Sequence, residues 1–141
     1  MAALTKSVDY EYTGDVQAHT LPARVAASAK IYRGAVVSAK ASAGGACPNA
    51  GDLFVMGIAQ EEVDNSSGAA GALYVSLLTG GLVRVSGLTG WAETDIGAPV
   101  YTATDNLADV TKTSTGAAQV GIVWNVLGAT EIEIAINCNR V

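Results

Sequence analysis

The chain has 141 residues and a formal net charge of −5, with half of its residues apolar and only 15% charged. This length suits one domain with its own core, and the apolar fraction excludes an intrinsically disordered chain. The eight basic residues are scattered along the chain, which argues against direct nucleic-acid binding, because that binding depends on grouped Lys and Arg.

The N-terminal 25 residues predict an extended arm in front of a single β domain at residues 26–141. The opening segment MAALTKSVDYEY lacks the apolar core of a secretory signal peptide, so we expect the protein to start in the cytosol of the cell that makes it. Tyr10 and Tyr12 alternate with acidic residues, which puts both rings on one side of an extended segment. This pattern favours adding a strand to a neighbour's sheet edge.

Alternating apolar and polar residues, rich in Val and Ile, predict seven short strands after the arm. These are Ile31–Lys40, Leu53–Gln60, Leu73–Leu78, Leu82–Ser86, Pro99–Thr102, Gln119–Val126 and Glu131–Asn137. In the last of them Ile132, Ile134 and Ile136 share one face, which predicts a sheet with one dry side. Glycine-rich turns between short strands predict an all-β fold, a small sandwich or barrel of mostly antiparallel strands with at most one short helix.

The connections carry further predictions. Thr79-Gly80-Gly81 is expected to form a turn between two strands. Pro22–Lys30 is a candidate for the one short helix, with proline in its first turn, and Leu107–Val110 for an added edge strand. The long polar connections Gln60–Gly71 and Asp105–Ala118 are expected to be functional or to be ordered by a partner.

Few residues offer chemistry. The only histidine, His19, lies in the predicted arm, where it cannot be held as the base of a Ser or Cys nucleophile. Glu61, Glu62 and Asp64 form the densest acidic cluster, followed by Asn65, but their spacing fits a calcium loop only in part. We therefore interpret them as solvated loop residues and expect no enzyme activity, no cofactor and no metal site.

The two cysteines, Cys47 and Cys138, fit no metal or redox spacing. In a cytosolic protein we expect free thiols, and a disulfide would require the C-terminus to fold back beside the Cys47 loop. Trp124 lies within a predicted strand and is expected in the core. Trp91 follows a turn-rich segment, where it is either an exposed interface anchor or a residue that caps the end of the barrel.

Five segments carry a resemblance to a known family, in their order and spacing together. They are KIYRGAVV (30–37), GIAQEEVDN (57–65), GAAGAL (68–73), DIGAPVY (95–101) and GIV (121–123). From residue 30 to the C-terminus the chain resembles the head decoration, or cement, proteins of tailed phages, and the arm lies outside the resemblance. The resemblance implies a protein of the outer capsid surface that bridges neighbouring major capsid protein subunits, often as a homotrimer.

We therefore expect a non-enzymatic virion protein that is made in the host cytoplasm and stabilises an assembled capsid, with no nucleic-acid or membrane partner. The alternative is an outward-displayed sugar- or receptor-binding module that uses Trp91 and the loop at residues 61–65. The candidate interface residues are Tyr10, Tyr12, His19, Arg24, Glu61, Glu62, Asp64, Asn65 and Trp91.

Overall fold

The computed structural model describes residues 3–11, 19–51 and 54–137, and in these ranges the chain contains β-strands and short 3₁₀ helices but no α-helix. The strands are β1 (His19–Arg24), β2 (Ala29–Ile31), β3 (Val36–Lys40), β4 (Gly45–Pro48), β5 (Phe54–Ala59), β6 (Val63–Asn65), β7 (Tyr74–Val85), β8 (Pro99–Thr102), β9 (Ala118–Gly128) and β10 (Glu131–Asn137). The 3₁₀ helices are Ala41–Ala43, Glu93–Asp95 and Leu107–Asp109. An antiparallel sheet curls into a half-barrel, which confirms the all-β prediction.

Strand β7 organises the sheet. Leu78 pairs with Thr20 of β1 and with Ile58 of β5, so β1 and β5 lie on opposite edges of β7. Gly80 likewise pairs with both β1 and β10, which places β10 after β5 along the same edge. The first half of β7 therefore belongs with β1, β5, β3 and β4, and its second half with β10, β9 and β8.

The predicted turn at Thr79-Gly80-Gly81 is wrong, because β7 continues through it for twelve residues. Gly81 has φ +134, and the pairing with β1 shifts register beside it. A glycine inside a strand often marks such an irregularity. Because of this shift, the side chains of β7 do not alternate strictly between the two faces of the sheet. Leu78 and Val83 are an odd number of residues apart, yet both pack in the same core cluster.

The core consists of two clusters that share a wall. In β3, Val36 belongs to the first cluster and Val37 to the second, and in β5 the same holds for Ile58 and Ala59. Both strands are thus buried on two faces at these positions, which fits the consecutive apolar residues there. The second cluster is closed off where Val25, directly after β1, forms a bridge to β4.

The helix predicted at Pro22–Lys30 is also wrong, since Pro22 lies in β1 and the segment continues into β2. Ala23 and Val25 alternate into the second cluster, and burial of this alternating face outweighs the helix propensity of the alanines. The arm predicted at residues 1–25 therefore ends earlier, because β1 is already part of the sheet.

The edge strand predicted at Leu107–Val110 is wrong, because Leu107–Asp109 forms a 3₁₀ helix that ends before Val110. Asn106 caps it by accepting a hydrogen bond from the backbone N–H of Ala108 at 3.0 Å. Leu107 is fully buried in the first cluster. The edge of the sheet is instead extended by Thr111, which bridges to β8.

Candidate interaction surface

The solvent side of the sheet formed by β7, β10, β9 and β8 carries a row of apolar residues. Leu82 pairs with Ala135, Ala135 with Ile122, and Ile122 with Pro99. Residues directly opposite each other in antiparallel strands point to the same face. Pro99 is exposed and the other three are half-buried. We call these four residues, together with Trp124 of β9, the outer stripe.

Trp124 is 53% exposed, so the prediction that it lies in the core is wrong. The pairing of β9 with β10 shifts here, and Trp124 is the extra residue between the positions paired with Glu133 and Ile134. Its neighbour Val123 pairs with Ile134 and is buried in the first core cluster, so Trp124 points to the opposite, solvent side, and the bulge keeps Asn125 on that side as well. A large, exposed aromatic beside an apolar row has the character of an interface anchor.

Charges border the outer stripe at Arg84 of β7. Its Nη1 lies 3.1 Å from Glu11 Oε2, and its Nε lies 3.4 Å from Glu131 Oε2, an ion-pair distance without a hydrogen bond. The hydrogen bond to Glu11 and the nearby carboxylates of Glu131 and Glu133 raise the pKa of Arg84 further. Exposed pairs of this kind contribute to specificity more than to affinity.

A second apolar opening lies between β1 and β5. A cavity of about 150 Å³ is lined by Leu21, Ala23, Phe54, Met56 and Leu77, among others. Leu21 is 52% and Phe54 58% exposed. The opening is therefore a second place where apolar side chains meet solvent, at the other half of the sheet from the outer stripe.

The acidic loop residues Glu61 and Glu62 form hydrogen bonds within their own chain. Glu61 Oε2 accepts a hydrogen bond from the backbone N–H of Ser76 at 3.0 Å. Glu62 Oε1 accepts one from the hydroxyl of Ser7 at 2.7 Å. Both carboxylates stay exposed, so they remain accessible to a partner while they fix the loop and the N-terminal segment.

The prediction that Asp64 and Asn65 are loop residues is wrong, because both lie in β6, which pairs with β2. Asp64 accepts hydrogen bonds from the hydroxyl and backbone N–H of Ser66, which lower the pKa of its carboxyl. Asn65 is only 3% exposed and donates from Nδ2 to the carbonyls of Ala26 and Ala69, both at 3.0 Å. The structure therefore gives Asn65 a structural role at the end of β6 and does not support it as an interface residue.

Trp91 is 5% exposed, which does not support the interpretation as an exposed anchor and matches a residue that closes one end of the core. Lys112 Nζ lies 5.1 Å from its ring centroid, donates to the Gly90 carbonyl at 3.0 Å and lies 2.8 Å from Asp95 Oδ2. The Lys112 ammonium holds the pKa of Asp95 below its usual range. The Trp91 ring thus lies against an ammonium group that is already bound to Gly90 and Asp95. The ring also lines a cavity of about 510 Å³.

The remaining candidates come from the predicted arm. Tyr10 is half-buried and packs on the first core cluster of its own chain. Tyr12 lies outside the described residues, as does the side chain of His19, whose backbone opens β1. Arg24 is exposed and donates from Nη2 to the carbonyl of Ala70 at 3.3 Å. Among the described residues, Trp91 and Asn65 are buried, Tyr10 is half-buried against its own core, and Arg24, Glu61, Glu62 and Asp64 are exposed.

The thiol of Cys47 is free and half-buried, and burial raises its pKa. Cys138 lies outside the described residues. Across residues 3–11, 19–51 and 54–137, no group of three or more His, Cys, Asp and Glu side chains is placed to hold a metal ion. In the same ranges no helix has the length and apolar character to cross a membrane.

Two buried polar residues have no distinguishing signal in the sequence. Asn49 donates from Nδ2 to the carbonyls of Thr102 and Thr104 and accepts at Oδ1 from the hydroxyl of Ser38. Asp105 is 2% exposed. The hydrogen-bond partners of both residues are remote in sequence, and two of the partners of Asn49 are backbone carbonyls. In the sequence, each residue therefore looks like an ordinary loop residue.

Asp105 gives a testable pH dependence. Burial, supported by the nearby Asp109, raises the pKa of its carboxyl, although Oδ1 accepts the Leu4 N–H at 2.8 Å. A raised folded-state pKa means that the native state binds the proton more tightly, so stability is lost as pH rises through that value. Asp105→Asn keeps an acceptor oxygen without the charge. At pH 7 we expect the free energy of unfolding to be higher for this variant than for the wild type.

Urea unfolding of wild type and Asp105→Asn at a series of pH values measures this effect. The gain should shrink toward acidic pH, where the wild-type carboxyl is protonated and the two proteins become equivalent. A variant that is less stable than wild type at pH 7 would show that the carboxylate charge is needed to hold Leu4.

Comparison with family models, with curated proteins and with solved structures found no match at the level of significance required. The class defined by the structure is an all-β protein with a curled antiparallel sheet.

Proposed function

We propose that this protein is a non-enzymatic virion protein that binds the outer surface of an assembled phage capsid and bridges neighbouring major capsid protein subunits. The observation that carries this proposal is the outer stripe, a row of apolar residues across four strands with the exposed Trp124 beside it. Contiguous exposed apolar surface commonly marks a protein-binding face. The order and spacing of the five resembling segments support a capsid as its partner.

The energetics suit such a role. A protein that binds only the assembled lattice stabilises that lattice by mass action. A homo-oligomer, with a trimer favoured, engages several capsid subunits at once and gains effective concentration from ordinary contacts. The net charge of −5 favours a capsid surface with basic patches and disfavours adhesion to the packaged genome.

Replacing Trp124 tests the proposal. Trp124→Ala is expected to weaken binding to expanded capsids about tenfold, because truncating an aromatic anchor typically costs more than 1 kcal/mol. Occupancy is measured by co-sedimentation over a range of protein concentrations. Folding should change little, since the Trp124 side chain is half exposed in the isolated chain.

Ile96→Ala is the matched control. Ile96 is 52% exposed, almost the same as Trp124, but it is outside the outer stripe. It should bind capsids as the wild type does. Equal occupancy by Trp124→Ala and wild type would count against the outer stripe as the capsid-binding face.

The alternative, a sugar- or receptor-binding module, would use Trp91 and the acidic loop. Burial of Trp91 and Asn65 disfavours it, because neither side chain is free to stack on or bind a ligand. A specific signal on a glycan array that survives Trp124→Ala would support this alternative instead.

A further inference from the structure

Residues 3–11, which we call the strap, lie across the domain that follows them. The strap is held through its backbone at Leu4, Val8 and Glu11, whose partners are Asp105 Oδ1 at 2.8 Å, the Arg33 carbonyl at 2.8 Å and the Arg84 N–H at 2.9 Å. Its inward side chains reach both cores, with Leu4 packed on the second cluster and Tyr10 on the first. Within the chain, the strap meets the sheet at an isolated antiparallel bridge between Glu11 and Arg84.

The surface beneath the strap is shaped to receive it. Gly34 is buried and has φ +89. A Cβ at this position would overlap the Val8 side chain and lie 2.7 Å from the Val8 carbonyl oxygen and 3.3 Å from the Tyr10 ring. Only glycine therefore allows both this backbone conformation and the docked strap.

The strap is held more weakly than the sheet. Leu4, Val8 and Tyr10 are only half-buried. The ion pair between Asp9 and Arg33 is short, at 2.7 Å, but its side chains are 82% and 44% exposed, and exposed pairs contribute little. Segments with few buried contacts open at a lower free energy than the whole domain, so the strap is suited to release.

We infer that the docked strap holds the protein in a state that binds capsids poorly, and that the strap must leave its own domain before it can engage a capsid subunit, an inference that rests on the proposed function. The reason is that strap groups bound to their own domain cannot bind a capsid subunit at the same time. The inward side chains and the backbone groups that contact Gly34, Asp105 and Arg84 are those that an extended segment would offer to another protein. Release shifts the population toward the binding-competent state.

Trypsin measures release without any capsid. Lys6 is the only Lys or Arg in the strap, and the residue that follows it, Ser7, is hydrogen-bonded to Glu62 and to the Arg33 N–H. Cleavage after Lys6 therefore requires the strap to lift. Gly34→Ala should accelerate this cleavage at least tenfold, as followed by the intact mass of the fragment that begins at Ser7.

Gly97→Ala is the control for backbone strain. Gly97 has φ +88, close to that of Gly34, but a Cβ there meets nothing within 4 Å. If Gly34→Ala does not fold, Val8→Gly replaces it, with Thr5→Gly at an exposed strap position as its control. Equal cleavage rates after Lys6 in a variant and its control would overturn the inference.

Capsid binding separates the inference from the proposed function. Gly34→Ala should bind expanded capsids at least tenfold more tightly than Gly97→Ala, and deletion of residues 1–11, which leaves β1 intact, should bind more weakly than wild type. Faster cleavage of Gly34→Ala with unchanged capsid affinity would overturn the inference that the docked strap hinders capsid binding. Absence of capsid binding by the wild type and by all variants would overturn the proposed function, while the cleavage rates would still report on the strap.

Discussion

Gly121→Ala should lower the free energy of unfolding by about 3 kcal/mol, at the upper end of what overpacking usually costs. Gly121 is buried in β9, opposite Val100 of β8 and Ile136 of β10. A Cβ there would overlap the carbonyl oxygen of Ala135 and lie 3.1 Å from the Ile134 side chain. The obstacle is the backbone of a neighbouring strand, which cannot move without disturbing the ladder between β9 and β10.

Gly128→Ala provides the control within the same strand. A Cβ at Gly128 meets nothing within 4 Å, so its effect should stay within about 0.5 kcal/mol of zero, as for an ordinary surface substitution. Urea unfolding followed by circular dichroism compares the two variants. If both lose the same stability, then loss of glycine flexibility in a strand, and not steric overlap, explains the effect at Gly121.

Local alternation predicted the parts of the sheet where one face is dry. The predicted bounds of β8 and β10, at Pro99–Thr102 and Glu131–Asn137, coincide with those in the structure. In β10, Ile132, Ile134 and Ile136 are all buried, as their spacing indicates. Where apolar and polar residues alternate strictly along a strand, the pattern alone indicates which face is buried, so no tertiary information is needed to predict that face.

Prediction failed where an irregularity inside a strand changes the orientation. Gly80 and Gly81 fit a turn as well as a bulge, and only the pairing of β7 with strands on both of its edges decides between them. Trp124 has the same alternate spacing as Val120, but a one-residue shift of β9 against β8 at Val120 puts Val123 in the core and Trp124 in solvent. Both errors involve partners distant in sequence.

The candidate site was predicted less well for the same reason. The exposed acidic residues Glu61 and Glu62 were correctly placed in a loop, but their hydrogen-bond partners lie in β7 and the strap. Asn65 is buried where it forms hydrogen bonds to Ala26, which precedes β2, and to Ala69, which follows β6. The outer stripe appears only when three strand registers are known together.

Asn49→Ala should lower the free energy of unfolding by about 3 kcal/mol or more. Asn49 is 3% exposed, and its side chain makes three buried hydrogen bonds, to Ser38 and to the carbonyls of Thr102 and Thr104 at 2.8 to 3.0 Å. Removing the amide breaks all three bonds, although the Thr104 carbonyl keeps a second partner, the Thr102 hydroxyl at 3.1 Å. Each buried group left unsatisfied costs about 1–3 kcal/mol. Asn125→Ala, which removes one exposed hydrogen bond to Glu133, should change stability by less than about 0.5 kcal/mol.

The Asn49 substitution should also loosen the strap. The Thr102–Thr104 segment that Asn49 holds leads directly into Asp105, whose carboxylate binds the Leu4 N–H and whose carbonyl accepts the Val36 N–H. Amide hydrogen exchange should therefore show faster exchange at Leu4 and Val36 in Asn49→Ala, while amides of β10 keep their protection relative to global unfolding. Unchanged exchange at Leu4 would mean that the strap is anchored mainly at Gly34 and Arg84, independently of the buried polar network.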